Sequence, residues 1–520
     1  YHVDELEARD NADSVINVSK PAKLTGMILT LINGGTFTNS GTTELSGSIQ
    51  GTGNANVTNE FGATMTIAGD SSMIGTFLNR GQVTMCDLDM NGTFSNAEGA
   101  TVDMNTLKVL GSINNYGYLN AKDDSELNGR LTNTGVIKLF NTVVGERDGI
   151  IDNTHTIDAK GTITMNGLLS SVDNADLETL VVTGEGAMAN NAGTMTAKER
   201  GSDTEAVGLI SISDGGRFYN SGTLDADKIE VKDGGYHING GVAPITESLL
   251  SMTSVMSRAP RTPAVEQSPT IDLQEGGQWT NNGIAYYGTG TIAGLFTNAD
   301  NAETYTGVSD VYVDGQGVTI AATGQVQNGG LFVMGGSGTN EGSITGDGEL
   351  VLEHTTAMSN VFNNSGTIDV GTLTADDITF NHTGGNVHAD NGWFTNATVN
   401  VKGGQMSYAE LGTGNTYNVG ADAGLATLTI DHVTSDSVVN ITQGGNFVAP
   451  EIALTVSEKT VHLLGGTLTT SLDQIFDDVY YTALAIDAQT PEDLVDIEGV
   501  EVATAVSDII GSVADGIQFG

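Results

Sequence analysis

The sequence predicts an all-β chain folded as a right-handed parallel β-helix, and three observations support this prediction. A phrase of the form apolar-x-Asn-x-Gly recurs along the 520 residues. Its copies follow one another at a nearly constant spacing of about nineteen residues. Between copies, apolar and polar residues alternate, as in Val83-x-Met85, which is the periodicity of strands and not of helices. A fixed period in this range is the signature of a solenoid.

The asparagines of the phrase define the period. They are Asn39, Asn59, Asn79, Asn96, Asn115, Asn133, Asn153, Asn220, Asn281 and Asn364. The first seven are 20, 20, 17, 19, 18 and 20 residues apart. We expect their amides to stack from coil to coil as a hydrogen-bonded ladder at a corner of the turn. A binding role would not need the motif in so many coils, so the sequence indicates a structural role.

The corner itself has a predicted backbone. Asparagine tolerates the left-handed region of φ/ψ space, and its side chain bonds local backbone groups. Glycine two residues later is expected to supply a positive φ without a Cβ clash. Each repeat then closes one turn of backbone and buries its apolar side chains only by stacking on its neighbours.

The first half of the chain divides into two predicted parts. Residues 1–32 have an acidic, helix-compatible start from Asp4 to Asp13 and then the apolar segment from Leu24 to Ile32, which is suited to an N-terminal cap. Residues 33–241 carry strong, continuous repeats and form the first β-helix segment, of roughly eleven coils.

Residues 242–270 break the pattern, because four of the seven prolines fall there. Proline cannot donate to a central ladder, so we predict a loop or hinge. The segment is either a flexible insertion or a loop that a protease or partner recognises. Repeats resume over residues 271–468 for roughly ten further coils. The two segments together would then form a rod on the order of 100 Å tall.

The last fifty residues change character. Leu472, Ile475 and Phe476 lie on one face of a predicted helix, and Pro491 separates this helix from a second apolar-rich segment. We predict that residues 469–520 form a helical C-terminal cap or module. A helix that docks a partner is the alternative.

The composition excludes several classes of function. The net charge is -45, from 64 acidic and 19 basic side chains, so we expect no nucleic-acid partner and no binding to anionic lipids. No run of ~18 to 20 apolar residues predicts a membrane helix. No basic n-region followed by an apolar h-region begins at Tyr1, so we expect that a secreted protein would be in its processed form. We expect no cofactor beyond diffuse binding of Ca²⁺ to the acidic surface.

The search for catalytic or metal-binding groups finds none that converge. Asp158, Asp225 and Asp369 share an offset from their repeat asparagines but belong to coils far apart. His382 and His388 would be about 20 Å apart on an extended strand, too far for one metal unless the chain folds tightly between them. Cys86, the only cysteine, lies in an apolar run and is expected to be a packed or half-buried thiol.

The repeats resemble those of a known group of proteins. Phe37-Thr-Asn-Ser-Gly-Thr, Phe218-Tyr-Asn-Ser-Gly-Thr and Phe362-Asn-Asn-Ser-Gly-Thr are similar to repeats of bacterial autotransporter passenger domains and haemagglutinin-like secreted adhesins. The resemblance covers most of residues 33–400. It implies an extracellular protein at the bacterial cell surface, with few cysteines and a role in adhesion, aggregation or biofilm structure. It transfers no binding residue.

The leading hypothesis is therefore a non-catalytic surface protein that acts in adhesion, self-association or a surface filament, with a glycan or host surface as a further partner. A chain of net charge -45 can pair face to face only through low-charge strips of Asn, Thr, Ser and Gly or through bridging cations. One rival is a polysaccharide-acting β-helix enzyme or phage-type tailspike. A second rival is a filament subunit that associates end to end.

Overall fold

The structure, a computed structural model, consists of two compact units, Tyr1–Ser268 and Pro269–Gly520. It describes residues 1–8, 14–145, 149–171, 174–199, 208–240, 264–307, 316–335, 337–354, 360–410, 412–433, 437–449, 451–452, 461–464, 466–471 and 495–498. In these residues every regular element is a strand, and the strands form a parallel β-solenoid of about 20 turns over the two units. The predicted all-β parallel solenoid is confirmed.

Most strands are short, and each turn of the solenoid contains three strand segments. Through residue 273 the strands are β1 (His2–Ala8), β2 (Val15–Val18), β3 (Lys23–Leu31), β4 (Thr36–Asn39), β5 (Thr42–Leu45), β6 (Ile49–Asn59), β7 (Thr64–Ile67), β8 (Ser71–Asn79), β9 (Gln82–Met85), β10 (Leu88–Met90), β11 (Thr93–Asn96), β12 (Thr101–Met104), β13 (Leu107–Val109), β14 (Ser112–Asn115), β15 (Tyr118–Ala121), β16 (Ser125–Leu127), β17 (Arg130–Asn133), β18 (Val136–Leu139), β19 (Thr142–Val144), β20 (Ile150–Asn153), β21 (Thr156–Met165), β22 (Leu168–Ser171), β23 (Asn174–Thr183), β24 (Met188–Asn191), β25 (Thr194–Ala197), β26 (Leu209–Ser213), β27 (Arg217–Asn220), β28 (Thr223–Ala226), β29 (Lys228–Val231), β30 (Tyr236–Asn239) and β31 (Val265–Leu273).

The remaining strands belong to the second unit. They are β32 (Gln278–Asn281), β33 (Ile284–Ile292), β34 (Leu295–Asn298), β35 (Glu303–Thr306), β36 (Gln316–Ile320), β37 (Gln325–Asn328), β38 (Leu331–Gly335), β39 (Ser337–Asn340), β40 (Ser343–Glu353), β41 (Val361–Asn364), β42 (Thr367–Asp376), β43 (Thr379–His382), β44 (Asn386–Thr395), β45 (Thr398–Val401), β46 (Gly404–Glu410), β47 (Thr416–Val419), β48 (Ala426–Ile430), β49 (His432–Val433), β50 (Val438–Thr442), β51 (Gly445–Val448), β52 (Glu451–Ile452), β53 (Val461–Leu464), β54 (Thr467–Ser471) and β55 (Val495–Glu498).

Each strand pairs in parallel with its counterpart in the next turn. In the first unit β11, β12 and β13 pair in register with β14, β15 and β16. The second unit is built in the same way, and one of its columns runs through β41, β43, β45, β47 and β50. Because parallel pairing is in register, the equivalent residues of successive turns lie directly above one another, and their side chains point in the same direction.

The core lies inside the turns and is formed by the alternate, inward residues of every strand. Phe77 and Phe94 are fully buried, and their ring centroids lie 5.0 Å apart in successive turns of the first unit. In the second unit Phe362 stacks on Phe380 with a centroid distance of 5.4 Å. Aromatic contacts of this kind contribute about 0.5–1.5 kcal/mol to stability, beyond the contribution from the apolar area that each ring buries.

The N-terminal segment belongs to the solenoid. Residues 2–8 form β1, which pairs in parallel with β3 and places Leu6 beside Leu29. The helix-compatible interpretation of Asp4 to Asp13 is therefore wrong for residues 4–8, and residues 9–13 lie outside the described part of the chain. Acidic residues fit a strand here because Asp4, Glu5 and the other exposed positions face solvent.

Two predicted boundaries change. Residues 265–270, placed in the proline-containing loop, form the start of β31, and Pro269 lies within that strand. The rest of the predicted loop, apart from residue 264, is outside the described residues. The helix predicted from Leu472 also lies outside the described residues. Within 469–520, residues 469–471 belong to β54, which pairs in parallel with β55 at residues 495–498.

The glycines explain how closely the turns approach at the corners. A Cβ on Gly111 would overlap the carbonyl oxygen of Gly92 in the preceding turn, and a Cβ on Gly92 would overlap that of Gly75. The predicted reason for the glycine two residues after the ladder asparagine is wrong, because Gly81 and Gly117 have no positive φ. There too a Cβ would overlap main-chain oxygens of the preceding turn.

We predict that Gly111→Ala destabilises the first unit by about 3 kcal/mol, because the methyl group forces two stacked backbones apart. Gly384→Ala is the matched control, since a Cβ there meets only one atom, at 3.7 Å, and its φ is ordinary. We expect the control to change the unfolding free energy by less than about 1 kcal/mol. Denaturant unfolding followed by circular dichroism measures both, and equal effects would contradict the steric explanation.

Candidate functional site

The predicted asparagines form a buried ladder in the first unit. Along it, the Nδ2 of each asparagine donates to the Oδ1 of the next: Asn39 to Asn59 (2.8 Å), Asn59 to Asn79 (2.9 Å), Asn79 to Asn96 (2.9 Å), Asn96 to Asn115 (2.8 Å), Asn115 to Asn133 (2.7 Å) and Asn133 to Asn153 (2.7 Å). Further segments contain the other predicted members: Asn191–Asn220–Asn239, Asn281–Asn298–Asn328 and Asn340–Asn364. We call these rungs the inner ladder.

Within the inner ladder, Asn79 uses all of its hydrogen-bonding capacity. Asn79 donates to Asn96 Oδ1 and to the carbonyl oxygen of Thr101, at 2.9 and 3.0 Å. Its own Oδ1 accepts from Asn59 Nδ2 and from the N–H of Gly81, at 2.9 and 3.1 Å. An asparagine side chain has two donors and two lone pairs, so nothing is left over for a ligand. The inner ladder is a structural element.

One segment of the inner ladder ends at a histidine. Asn364 Nδ2 donates to His382 Nδ1 at 2.9 Å, and His382 is fully buried. Burial lowers the pKa of His382, which favours the neutral ring that this bond requires. His388 is exposed, and its Nδ1 bonds Ser407 Oγ at 3.0 Å. The two imidazoles serve different partners and do not form a shared metal site.

A second ladder runs along the outside of the second unit. Asn381 Nδ2 donates to Asn363 Oδ1 at 2.9 Å, and the same bond joins Asn400 to Asn381, Asn418 to Asn400 and Asn440 to Asn418 at 2.8 Å. We define the asparagine strip as this row and the outward row two residues before it: Asn363, Asn381, Asn400, Asn418 and Asn440, with Val361, Thr379, Thr398, Thr416 and Val438.

Strand alternation produces the strip. In β45 and β47 the residues Val399 and Tyr417 point inward and are fully buried, so Asn400 and Asn418 beside them must point outward. In-register pairing then brings the outward amides together turn after turn. The ladder holds each amide in one orientation, and the strip is therefore ordered before any partner arrives.

The strip leaves part of its bonding capacity unused by the ladder. Each internal rung gives one N–H and one lone pair to its ladder neighbours, and an amide has two of each. The side chains are half-buried or exposed, so the remaining donor and acceptor face solvent. None of the ten strip residues is charged, in a chain of net charge -45. The strip is a neutral, periodic array of donors and acceptors.

Outward rows of the first unit are joined differently. Arg130 Nη2 lies 2.9 Å from Asp152 Oδ2 in the next turn, and Lys138 pairs with Asp158 at 3.5 Å. Lys198 pairs with Asp225 at 2.7 Å. Two of the three carboxylates considered as catalytic candidates are thus held in ion pairs. The third, Asp369, belongs to the second unit, and no catalytic arrangement follows from these three.

Cys86 lies beside two carboxylates. The ligand atoms of Asp70, Cys86 and Asp87 lie within 4.8 Å of one another, and Asp87 Oδ1 accepts the N–H of Thr106 at 3.2 Å. The hydrogen bond to Asp70, together with partial burial, raises the pKa of the Cys86 thiol. A thiol that keeps its proton is a poor nucleophile and a poor metal ligand. The half-buried thiol predicted from the sequence is what the structure contains.

No family model matches the chain, and no curated protein or solved structure matches it either. Nowhere in the described residues is a helix long and apolar enough to cross a membrane.

The apolar-x-Asn-x-Gly phrase does not predict the asparagine strip, although the sequence contains a separate signal for it. An apolar residue followed by Asn recurs at Phe362-Asn363, Phe380-Asn381, Val399-Asn400, Tyr417-Asn418 and Val439-Asn440. These copies are 18, 19, 18 and 22 residues apart. The apolar-x-Asn-x-Gly phrase drew attention to the other side of the strand, where the asparagine is two residues after the apolar position.

We predict that Asn96→Asp destabilises the first unit by about 3 kcal/mol at neutral pH. The substitution removes the donor to Asn115 Oδ1 and buries a carboxylate in its place. Such burial raises the carboxyl pKa in the folded state above its unfolded value of about 3.9. The penalty from the buried charge is therefore absent below that unfolded pKa, grows as the pH rises from the unfolded to the folded pKa, and is constant above the folded pKa.

Urea unfolding at several pH values between about 4 and 8 measures this difference from the unsubstituted chain. Asn54→Asp, at an exposed position of β6, is the control and should show almost no difference at any pH. A penalty for Asn96→Asp that stays constant or falls with rising pH would contradict the ladder assignment.

Proposed function

We propose that this chain is a non-catalytic extracellular protein of the bacterial cell surface that acts in adhesion or self-association, with the asparagine strip as its contact face. The observation that supports the proposal is the strip: ten uncharged outward residues, ordered by four hydrogen bonds, on a chain of net charge -45. The resemblance of the repeats to secreted adhesins supports the location and the class of role.

Charge explains why a neutral face is needed. Two acidic surfaces repel each other over a Debye length of about 8 Å at physiological ionic strength. A contact made through the strip brings no like charges of its own into the interface. The ladder also fixes the amide side chains in advance, so binding loses less side-chain entropy than it would on a surface of free side chains.

The rival function is that of a polysaccharide-acting enzyme or tailspike. Such an enzyme needs carboxylates that converge on one groove as acid and base. In the described residues of the first unit, Asp158 and Asp225 instead face lysines at 3.5 and 2.7 Å. Release of reducing ends or unsaturated products from a panel of glycans would identify the enzyme and exclude the proposed function.

We predict that self-association of the full chain strengthens with NaCl and with millimolar CaCl₂. Salt at about 1 M shortens the Debye length to about 3 Å, and Ca²⁺ neutralises and bridges carboxylates, so both weaken the repulsion that opposes face-to-face contact. Sedimentation velocity at fixed protein concentration gives the distribution of species. Addition of a chelator should reverse the Ca²⁺ effect and leave the NaCl effect intact. A distribution indifferent to both additions would count against the proposal.

A further inference from the structure

We infer that the asparagine strip binds a single extended chain of a neutral polysaccharide. This inference rests on the proposed function and names the target of the adhesive contact. Four properties of the strip support the inference: its dimensions, its hydrogen-bonding chemistry, its lack of charge and the order of its side chains before binding.

The dimensions of the strip suit a narrow, linear ligand. Five strands at a spacing of about 4.8 Å make a row about 19 Å long, and the two outward rows are about 7 Å apart. The whole face covers on the order of 300 Å². A stable protein interface buries about 800 Å² on each partner, so a second copy of the chain would need contacts beyond the strip, which a glycan chain would not. A short run of sugar rings laid along the row fits it.

The hydrogen-bonding pattern suits a chain of hydroxyl groups. Each internal rung presents one amide N–H and one carbonyl lone pair, and Thr379, Thr398 and Thr416 add hydroxyls that both donate and accept. A sugar hydroxyl also donates and accepts, so every position along the strip can be satisfied. A peptide that added itself as a strand would need unpaired backbone N–H and C=O groups at a sheet edge. The strip offers none, because β41, β43, β45, β47 and β50 pair with one another in succession.

Charge selects the neutral class of polysaccharide. The chain carries -45 overall, so uronic-acid polymers and sulfated glycans are repelled as they approach. A cationic polymer would be attracted to the acidic surface in general and would not prefer the ten uncharged residues. A neutral polysaccharide is the class that should bind the strip more tightly than it binds the acidic remainder of the surface.

Prior order distinguishes the strip from an ordinary polar surface. The amides of Asn381, Asn400 and Asn418 are each bonded to a neighbour on both sides, so their orientations do not change on binding. The inner ladder is equally ordered but is buried, so its amides cannot reach a ligand. A ladder that only stabilises the stack would need neither the threonine row nor ten uncharged outward residues.

The test uses the full chain and isothermal titration calorimetry with linear neutral hexasaccharides, namely cellohexaose, mannohexaose, xylohexaose and laminarihexaose. Oligogalacturonate of the same length is the acidic probe. The strip variant is the double substitution Thr398→Glu with Thr416→Glu, which adds charge without altering the asparagine bonds. Thr427→Glu is the control, because Thr427 is also half-buried and outward but lies in β48, in a different column.

We expect at least one neutral hexasaccharide to bind the unsubstituted chain and oligogalacturonate not to bind. The strip variant should weaken binding at least tenfold, and Thr427→Glu should leave it unchanged. The milder pair Thr398→Ala with Thr416→Ala removes two hydroxyls without adding charge, and it should weaken binding severalfold even if the glutamate variant fails to fold. Circular dichroism establishes the folded state of each variant.

Two results would overturn the inference. One is that no neutral hexasaccharide binds, and the other is that both strip variants bind as tightly as the unsubstituted chain. If glycans fail while salt-dependent self-association persists in sedimentation, the glycan inference falls and the proposed function stands. If neither glycan binding nor self-association is found, both fall.

Discussion

The fold depends on one constraint, which is that every residue lies against its counterpart in the next turn. At a repeat distance of about 4.8 Å, a buried polar side chain can satisfy its hydrogen bonds only with its own kind above and below, or with the local backbone. Asparagine meets both demands, because its amide donates to the next turn and accepts from the previous one while a second pair of bonds closes the corner. A leucine at this position would leave corner carbonyls without a donor.

The same constraint acts on the outside of the solenoid, with a different outcome in each unit. In the first unit outward neighbours are often opposite charges, as in Lys23 with Glu44, both of them exposed. Exposed ion pairs contribute about 0–1 kcal/mol and are screened by salt. In the second unit the strip uses amides, whose bonds between turns are directional and insensitive to salt. The strip is consequently both neutral and ordered, and these two properties together suit recognition better than either alone.

The sequence predicted the solenoid because its period repeats in register, and it predicted the inner ladder because ten asparagines share one place in that period. It did not predict the strip, since a period of about nineteen says which residues stack but not which of two adjacent asparagines faces solvent. Only the buried neighbour, such as Val399 beside Asn400, decides that. The glycine two residues after Asn79 was assigned to a positive φ, because sequence alone does not separate that need from close approach of two backbones.

Exceptions inside the core show how strictly the stack limits change. His237 takes the place that Phe218 holds one turn earlier, stacks on that ring at 5.2 Å and bonds Glu266 across 2.7 Å, with both side chains fully buried. A polar group enters the core here because another turn supplies its partner, as at Asn364 and His382. Inward positions are thus committed to holding neighbouring turns together. Function in such a chain belongs to outward rows, and among these the asparagine strip is one that the stack has already ordered.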